Sequence, residues 1–439
     1  MLTEAHVEID RSQLTERFMK IRGMSLRLCE TLTAEDCCVQ SMPEASPIRW
    51  HLAHTTWFFE TFLLAAQPRY RSQHPEYAYL FNSYYNTVGA QFPRAERGLL
   101  TRPTVAVVWE YRQTIEQAVI ELVERLPTSE LHELSGVLEL GLQHEQQHQE
   151  LMLTDIKHVF SKNPLCPAYR PEWLVDDDPP SDRASEEPRW CKVDEGLYEI
   201  GHRGPGFAYD NESPRHRVFL ERFAFADRLV TAGEYLAFIE HGGYQQPRWW
   251  LSEGWEHVKT QGWKMPLYWR REGCQWLEFT LAGLQPVERW RPVCHVSYFE
   301  ADAFARWRGA RLATEAEWEV AAEQLGQLGN PSGFVDKLLE RNAPIHPTGA
   351  TLPSGQLDQM LGDVWEWTSS AYAPYPGYAP AAGALGEYNG KFMCNQYVLR
   401  GGACSSSANH LRITYRNFFP ASTRWQFAGI RLARSVNPT

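Results

Sequence analysis

The stretch "VDDDPPSDRASEEP", Val175–Pro188, constrains this chain more than any other feature, because its charge and proline content leave no apolar surface from which to build a core. It reads as a linker between two regions that must each bury their own hydrophobic residues. Before it, apolar residues recur at helical spacing around Leu14–Leu32, Ile48–Ala65, Val105–Leu126 and Leu131–Phe160, which predicts a bundle of four long helices. Ser46-Pro47 opens the second helix, and Pro127-Thr128-Ser129 separates the third from the fourth. The connection Gln67–Pro103 is long for a compact bundle, and connections of that length are usually functional. Beyond the linker the texture changes to short strand-like runs, many Gly and Trp, and two clear helices near Ala232–His241 and Phe299–Trp307. The expected organisation is a helical domain over 1–165, a linker over 166–190 and an irregular α+β domain over 191–439.

Composition narrows the function. A net charge of −11 with no basic stripe argues against nucleic acid and anionic membranes as partners, which leaves small molecules. The longest apolar runs, such as Val105–Trp109, are far too short to span a bilayer, and "MLTEAHVEIDRSQL" has no apolar leader segment, so the expectation is a cytoplasmic protein. Nine cysteines, scattered except for Cys37–Cys38 and without CxxC spacing, read as free thiols.

Residues 144–148 read "HEQQH", which matches the HExxH signature of zinc peptidases. They lie in an uninterrupted helical pattern, so His144 and His148 share a face and can present both imidazoles to one ion, with Gln147 beside them. That is half a metal site. A metzincin would continue with glycine and a third histidine, but Leu151 and Thr154 stand there. The acidic residues nearby, Glu150 and Glu172, lie too close or in a proline-flanked loop to complete a gluzincin. On this motif alone a zinc peptidase is disfavoured, and the two histidines leave a metal site half complete.

Four ordered motifs in the second region, "VSYFEADAFARWRGARLATEAEWEVAA" (Val296–Ala322), "GDVWEWTSS" (Gly362–Ser370), "LRGGACSSS" (Leu399–Ser407) and "AGIRLAR" (Ala428–Arg434), resemble the formylglycine-generating-enzyme fold, a variant of the C-type-lectin fold. Formylglycine chemistry itself needs a cysteine pair shortly after the RGG motif, and Cys404 has no cysteine after it. Trp365, Glu366 and Trp367 therefore read as scaffold, buried indoles with a carboxylate that satisfies turn amides. With "SPIRWHLAHTTWFFE" (Ser46–Glu60) and "HEQQHQELMLTDIKH" (His144–His158) ahead of it, nearly the whole chain resembles the ergothioneine-biosynthesis sulfoxide synthases, which join a DinB-type four-helix bundle to such a domain.

The resemblance implies a non-haem Fe(II) cofactor held by three histidines. His144 and His148 fit the H-x3-H-x-E motif together with Glu150, and the third ligand comes from the WHLAH helix. His51 and His54 compete for that place; the motif points to His54, which also shares a face with Trp50, Ala53 and Trp57. Three neutral imidazoles on one face of an octahedral ion leave three positions for substrates and O₂. The implied reaction is O₂-dependent joining of hercynine (Nα-trimethylhistidine) to a cysteine-type thiol, cysteine or γ-glutamylcysteine, as a sulfoxide. Tyr84 and Tyr85 in "FNSYYNTVG" are the candidate proton donors, and Arg94 and Arg97 in "QFPRAERGLL" the candidates for the thiol's carboxylate. Gln147 is placed to bond the hercynine imidazole, while Asn417, Phe418 and Phe419 approach its trimethylammonium group and Arg424 meets a carboxylate. Relatives that use γ-glutamylcysteine often carry an aspartate where this chain has Phe418-Phe419, which favours free cysteine. The alternatives are an ovothiol-type synthase acting on histidine, whose relatives usually add a methyltransferase, and a DinB-type zinc thiol transferase, which would not need the lectin-like half.

Overall fold

The computed structural model describes residues 10–173, 187–326, 335–341, 343–353 and 355–436, and the chain divides into two units after Val159. The first unit is helical. Asp10 caps α1 (Arg11–Arg27) by accepting the amide N–H groups of Ser12 and Gln13. α2 (Ile48–Phe59) follows Pro47 with no side-chain cap; the Ser46 hydroxyl, which the sequence offers as one, instead accepts from Arg97 at 2.9 Å. The helix expected over Ile48–Ala65 is α-helical only to Phe59, and Glu60–Leu64 is a π-turn, a distortion that recurs near functional sites. The Glu60 carboxylate in that turn accepts the phenolic O–H groups of Tyr70 and Tyr111. The long connection holds a short helix, α3 (Tyr77–Leu80), and a 3-10 turn, Arg94–Leu99. α4 (Val105–Arg125) is capped by Thr104, and α5 (Thr128–Ser161) runs unbroken for 34 residues, on the order of 50 Å.

Two features draw these helices together. Phe18 and Ile21 of α1, Trp57, Phe58 and Phe59 of α2, Ile115 and Val119 of α4, and Leu138 and Leu142 of α5 are all buried. Gly141 permits a close approach of α5 to α2: a Cβ there would lie 2.5 Å from the Phe59 ring and 3.0 Å from that of Phe58. The second feature is a buried cluster of four charges. Glu145 of α5 accepts from Arg22 of α1 (2.9 Å) and Arg112 of α4 (2.6 Å), and both guanidinium groups also meet Glu116 (2.9 and 3.2 Å). Arg22 further donates to Thr56 of α2 at 3.0 Å, so the cluster touches all four long helices. Arg22 and Arg112 interrupt apolar stripes, which is the sequence signal that marks them.

The second unit is mixed. In chain order it contains β1 (Trp190–Val193), β2 (Gly196–Ile200), β3 (His216–Leu220), β4 (Phe223–Ala226), α6 (Ala232–Glu240), α7 (Ser252–Gln261), β5 (Trp269–Glu272), β6 (Gln275–Thr280) and β7 (Gly283–Pro286). It continues with α8 (Tyr298–Trp307), β8 (Arg311–Leu312), α9 (Glu315–Leu325), α10 (Val335–Arg341), β9 (Trp365–Ala371), β10 (Tyr397–Arg400), β11 (Asn417–Phe419), β12 (Ala428–Gly429) and β13 (Leu432–Ser435). One sheet runs β1-β4-β13-β8 and a second β11-β10-β9-β12, with β12 parallel to β9; β2-β3 and β5-β6-β7 form smaller sheets. The sequence showed α6 and α8 but not α7, α9 or α10, which are short and rich in charged residues. α9 does open on a readable signal, a capping box between Thr314 and Glu317.

The motifs that carried the resemblance meet in the interior of this unit. Glu366 pairs with Arg431 of the AGIRLAR segment at 2.8 Å and accepts the Trp318 indole N–H at 2.9 Å. The carboxylate is thus scaffold, though its partners are a guanidinium and an indole rather than turn amides. Of the segment expected as a linker, residues 174–186 lie outside the described residues. Residues 169–173, also expected in the linker, are instead packed: the Tyr169 and Arg170 amides donate to the Leu281 carbonyl, and Tyr169 and Trp173 are buried.

Candidate metal centre

α2 and α5 carry the histidines. His54, His144 and His148 are buried, and one ring nitrogen from each lies within 4.8 Å of the others. Among the described residues no fourth His, Cys, Asp or Glu joins this group, and Glu150, although buried, stays outside it. His54 Nδ1 donates to the Phe81 carbonyl oxygen at 2.5 Å, which leaves its Nε2 as a lone pair; that atom lies 3.1 Å from His144 Nε2. His51 does not converge with the three. Its Nδ1 lies 2.8 Å from His148 Nδ1 and its Nε2 lies 3.0 Å from Asp155 Oδ2.

Burial lowers the pKa of each of the three imidazoles, to about 4 for His144 and well below the ordinary value for His54 and His148, where the neighbouring histidines add to the effect. All three are therefore neutral at neutral pH, the form that binds a metal. The 3.1 Å separation of the two Nε2 atoms matches the edge of about 3 Å between adjacent nitrogens that each lie roughly 2.1 Å from one octahedral ion. Three imidazole donors with no thiolate or carboxylate suit a first-row divalent ion with positions left open for other ligands.

Aromatic rings wall the group. Trp50 stacks on His54 with centroids 4.6 Å apart, Trp57 lies 5.8 Å from it on a near-parallel plane, and Phe58 lies 4.9 Å from His144. Glu145 points elsewhere, into the four-charge cluster. Burial alone would raise its carboxyl, but Arg112 and Arg22, with the Ser25 hydroxyl, outweigh that and bring it down to about 2. The glutamate of HEQQH is thus a structural anion, which is the physical answer to the peptidase signature.

The other candidates of this unit differ in placement. Arg97 is buried, lies 3.4 Å over the Trp50 ring, and donates to the hydroxyls of Ser46 (2.9 Å) and Ser83 (3.1 Å). Among the described residues no carboxylate pairs with it, and burial pushes its guanidinium down to about 8. Arg94 is exposed and donates to the Glu44 carbonyl. Tyr84 and Tyr85 stand side by side, with ring centroids 4.5 Å apart and hydroxyls 3.4 Å apart; Tyr85 is buried against Trp57 and Phe62. Gln147 is half-buried on α5 between the two histidines. Sequence reasoning missed Asp155, Ser46 and the Phe81 carbonyl. Only Asp155 left a trace, seven residues after His148 and so on the same helical face.

In the second unit, Asn417, Phe418 and Phe419 form β11 and are half-buried. Phe418 stacks on Tyr372 with centroids 4.1 Å apart, and Asn417 turns its own side-chain oxygen to the Phe418 amide at 2.9 Å. Arg424 lies 4.4 Å over Trp263 and pairs with Glu300 at 2.8 Å, so its carboxylate partner here belongs to the chain itself.

Residues 17–152 match the DinB superfamily and residues 176–436 the sulfatase-modifying factor enzyme 1-like domain, the two-domain α and α+β architecture expected from the sequence. The hercynine oxygenase of Mycobacterium tuberculosis is 33% identical over 446 aligned positions, which span 97% of this chain and 99% of its own. The formylglycine-generating enzyme of Streptomyces coelicolor is 28% identical over 290 positions, covering 54% of this chain and 85% of its own. Ergothioneine biosynthesis protein 1 of Schizosaccharomyces pombe is 25% identical over 251 positions, covering 52% of this chain and 28% of its own.

Proposed function

Because this chain belongs to the hercynine oxygenase family, we propose that it is an iron(II)- and O₂-dependent synthase that joins hercynine to free cysteine as a sulfoxide. The observation that carries the reading is the buried group of His54, His144 and His148, which no fourth His, Cys, Asp or Glu joins among the described residues. Fe(II) held there would supply O₂ activation and open positions for a thiolate and an imidazole.

The chain's own residues do the rest. Arg97, buried over Trp50 with the Ser46 and Ser83 hydroxyls as its acceptors, holds the cysteine carboxylate; Arg94, exposed on the same 3-10 turn, adds positive charge. Gln147 bonds the hercynine imidazole. The aromatic wall of Trp50, Trp57 and Phe58 excludes water and lowers the local dielectric, which strengthens each of these contacts. Tyr84 and Tyr85 supply a proton from one of two adjacent phenols. Asn417, Phe418 and Phe419 are the residues proposed for the trimethylammonium group, and Arg424 for a carboxylate. No carboxylate follows Asn417 in β11, so the ammonium group of a γ-glutamyl substituent would be buried there without a partner, at a cost on the order of several kcal/mol.

The test is anaerobic loading with Fe(II), followed by mass spectrometry after hercynine, a thiol and O₂ are added. A hercynine–cysteine sulfoxide is expected, and it should dominate when cysteine and γ-glutamylcysteine compete at equal concentration. Absence of any carbon–sulfur product with either thiol refutes the activity; a predominant γ-glutamylcysteine adduct refutes only the choice of thiol.

A further inference from the structure

The three imidazoles differ in what stands behind them. His54 Nδ1 donates to a backbone carbonyl, that of Phe81, and His144 Nδ1 has no hydrogen-bond partner among the described residues. His148 alone is backed by a charge, through the line His148 Nδ1, His51 Nδ1 (2.8 Å), His51 Nε2, Asp155 Oδ2 (3.0 Å). All three residues of this line are buried. The same carboxylate oxygen accepts the Ser46 amide N–H at 2.8 Å, just ahead of α2.

We propose that Asp155, acting through His51, is a positioning residue of the metal centre that holds His148 in the tautomer able to ligate. The inference rests on reading His54, His144 and His148 as metal ligands. A carboxylate only accepts, so the nitrogen facing it, His51 Nε2, carries a proton. A neutral His51 then has only a lone pair at Nδ1, so the nitrogen 2.8 Å away must be the donor. His148 is therefore protonated on Nδ1, and its Nε2 is left as the lone pair. With its two acceptor contacts the Asp155 oxygen also joins the start of α2 to α5, which fixes the spacing between the helices that carry the three histidines. Since a carboxylate two hydrogen bonds away draws on the His148 proton, His148 becomes the most electron-rich of the three donors, and His144 the least supported.

The test uses the full-length, metal-free protein with Co(II) alone as the probe, its affinity measured by competition with a chromophoric chelator and its site reported by the ligand-field spectrum. Asp155→Asn keeps an oxygen for Ser46 and His51 but removes the charge. His51→Phe removes the bridge, and His51→Gln supplies an amide that can accept from His148 and donate to Asp155. Asp155→Asn and His51→Phe are expected to weaken Co(II) binding by roughly 10–100-fold and to shift the spectrum, with His51→Gln recovering most of the loss. In a His148→Ala background, Asp155→Asn should cause no further loss, because the ligand through which it acts is gone. Affinity within twofold of wild type and an unchanged spectrum in both Asp155→Asn and His51→Phe overturn the proposal, as does a full additional loss in the His148→Ala background. If Asp155→Asn fails to fold, the two His51 variants decide the matter by the same criteria. His144→Ala separates the two levels: Co(II) bound as tightly as in wild type removes the metal centre itself, whereas lost binding there beside normal binding in Asp155→Asn and His51→Phe removes only the relay.

Discussion

Replacing Glu145 with glutamine tests what the glutamate of HEQQH does. The substitution keeps the shape of the side chain and removes its charge, leaving Arg22 and Arg112 with Glu116 as their one carboxylate inside a cluster whose two guanidinium groups are 1% exposed. Breaking a buried pair in this way costs about 3–5 kcal/mol. The depression of the Glu145 carboxyl from 4.5 to about 2 gives a consistent figure, about 3 kcal/mol in favour of the charged form. For a unit of this size the melting temperature should fall by on the order of 10 °C. The assay is thermal unfolding by far-ultraviolet circular dichroism with chelator present, because bound metal would add its own stabilisation. In a zinc peptidase the same glutamate is the general base beside the metal, so its amide variant would lose hydrolysis without breaking a buried ion pair. A melting temperature within about 2 °C of wild type would refute the structural role argued here. Removing Arg112 and Glu145 together, as Arg112→Met with Glu145→Met, leaves one intact pair and should cost less than Glu145→Gln alone.

Three further outcomes are expected. Gly141→Ala gains about 1 kcal/mol of helix propensity but drives a methyl group into the Phe59 ring, an overpacking cost of about 1–3 kcal/mol; a net loss of stability with weaker metal binding is expected, and a more stable variant with unchanged binding would show that α5 and α2 can separate freely. Burial raises the Cys37 thiol to about 12 and the Cys29 thiol further, so neither forms thiolate at pH 8, and a thiol reagent should modify the exposed Cys274 and Cys394 rapidly while the buried pair reacts only on unfolding; prompt reaction at Cys29 or Cys37 in the native protein contradicts this. Tyr84→Phe or Tyr85→Phe should slow sulfoxide formation or divert turnover to oxidation of the thiol alone while substrates still bind; identical rates and product ratios in both single variants and the double variant assign the rings to packing.

The long helices were legible because each buries one face, and that demand writes itself into the sequence as a period of about 3.6 residues. α4 begins at Val105 as read, and the ends of α1 and α5 move by only a few residues. The π-turn at Glu60–Leu64 was not legible, since one extra residue per turn barely disturbs the apolar pattern. His144 and His148 stood out by spacing alone. Preferring His54 to His51 leaned on the family resemblance, because the two lie one turn apart on the same helix and only the apolar face shared with Trp50, Ala53 and Trp57 told them apart in sequence. What separates them are contacts made across the fold, Phe81 behind one ring and Asp155 behind the other. Arg22 and Arg112 stand out as charges in apolar stripes, but their pairing with Glu145 was not legible, because it too is a contact made across the fold, between residues 123 and 33 positions apart.

α5 faces two demands within a single turn. His144 and His148 answer to one side and Glu145 to another, and consecutive residues on an α-helix are separated by a rotation of about 100°. No twist of the helix improves one fit without spoiling the other, so the four-charge cluster acts as a phase reference for the histidines. A residue inserted into α5 ahead of His144 would rotate both together relative to α1, α2 and α4, and no shorter correction than a whole number of turns would bring them back. The rotational setting of His144 and His148 on α5 is therefore tied to salt bridges that never touch them.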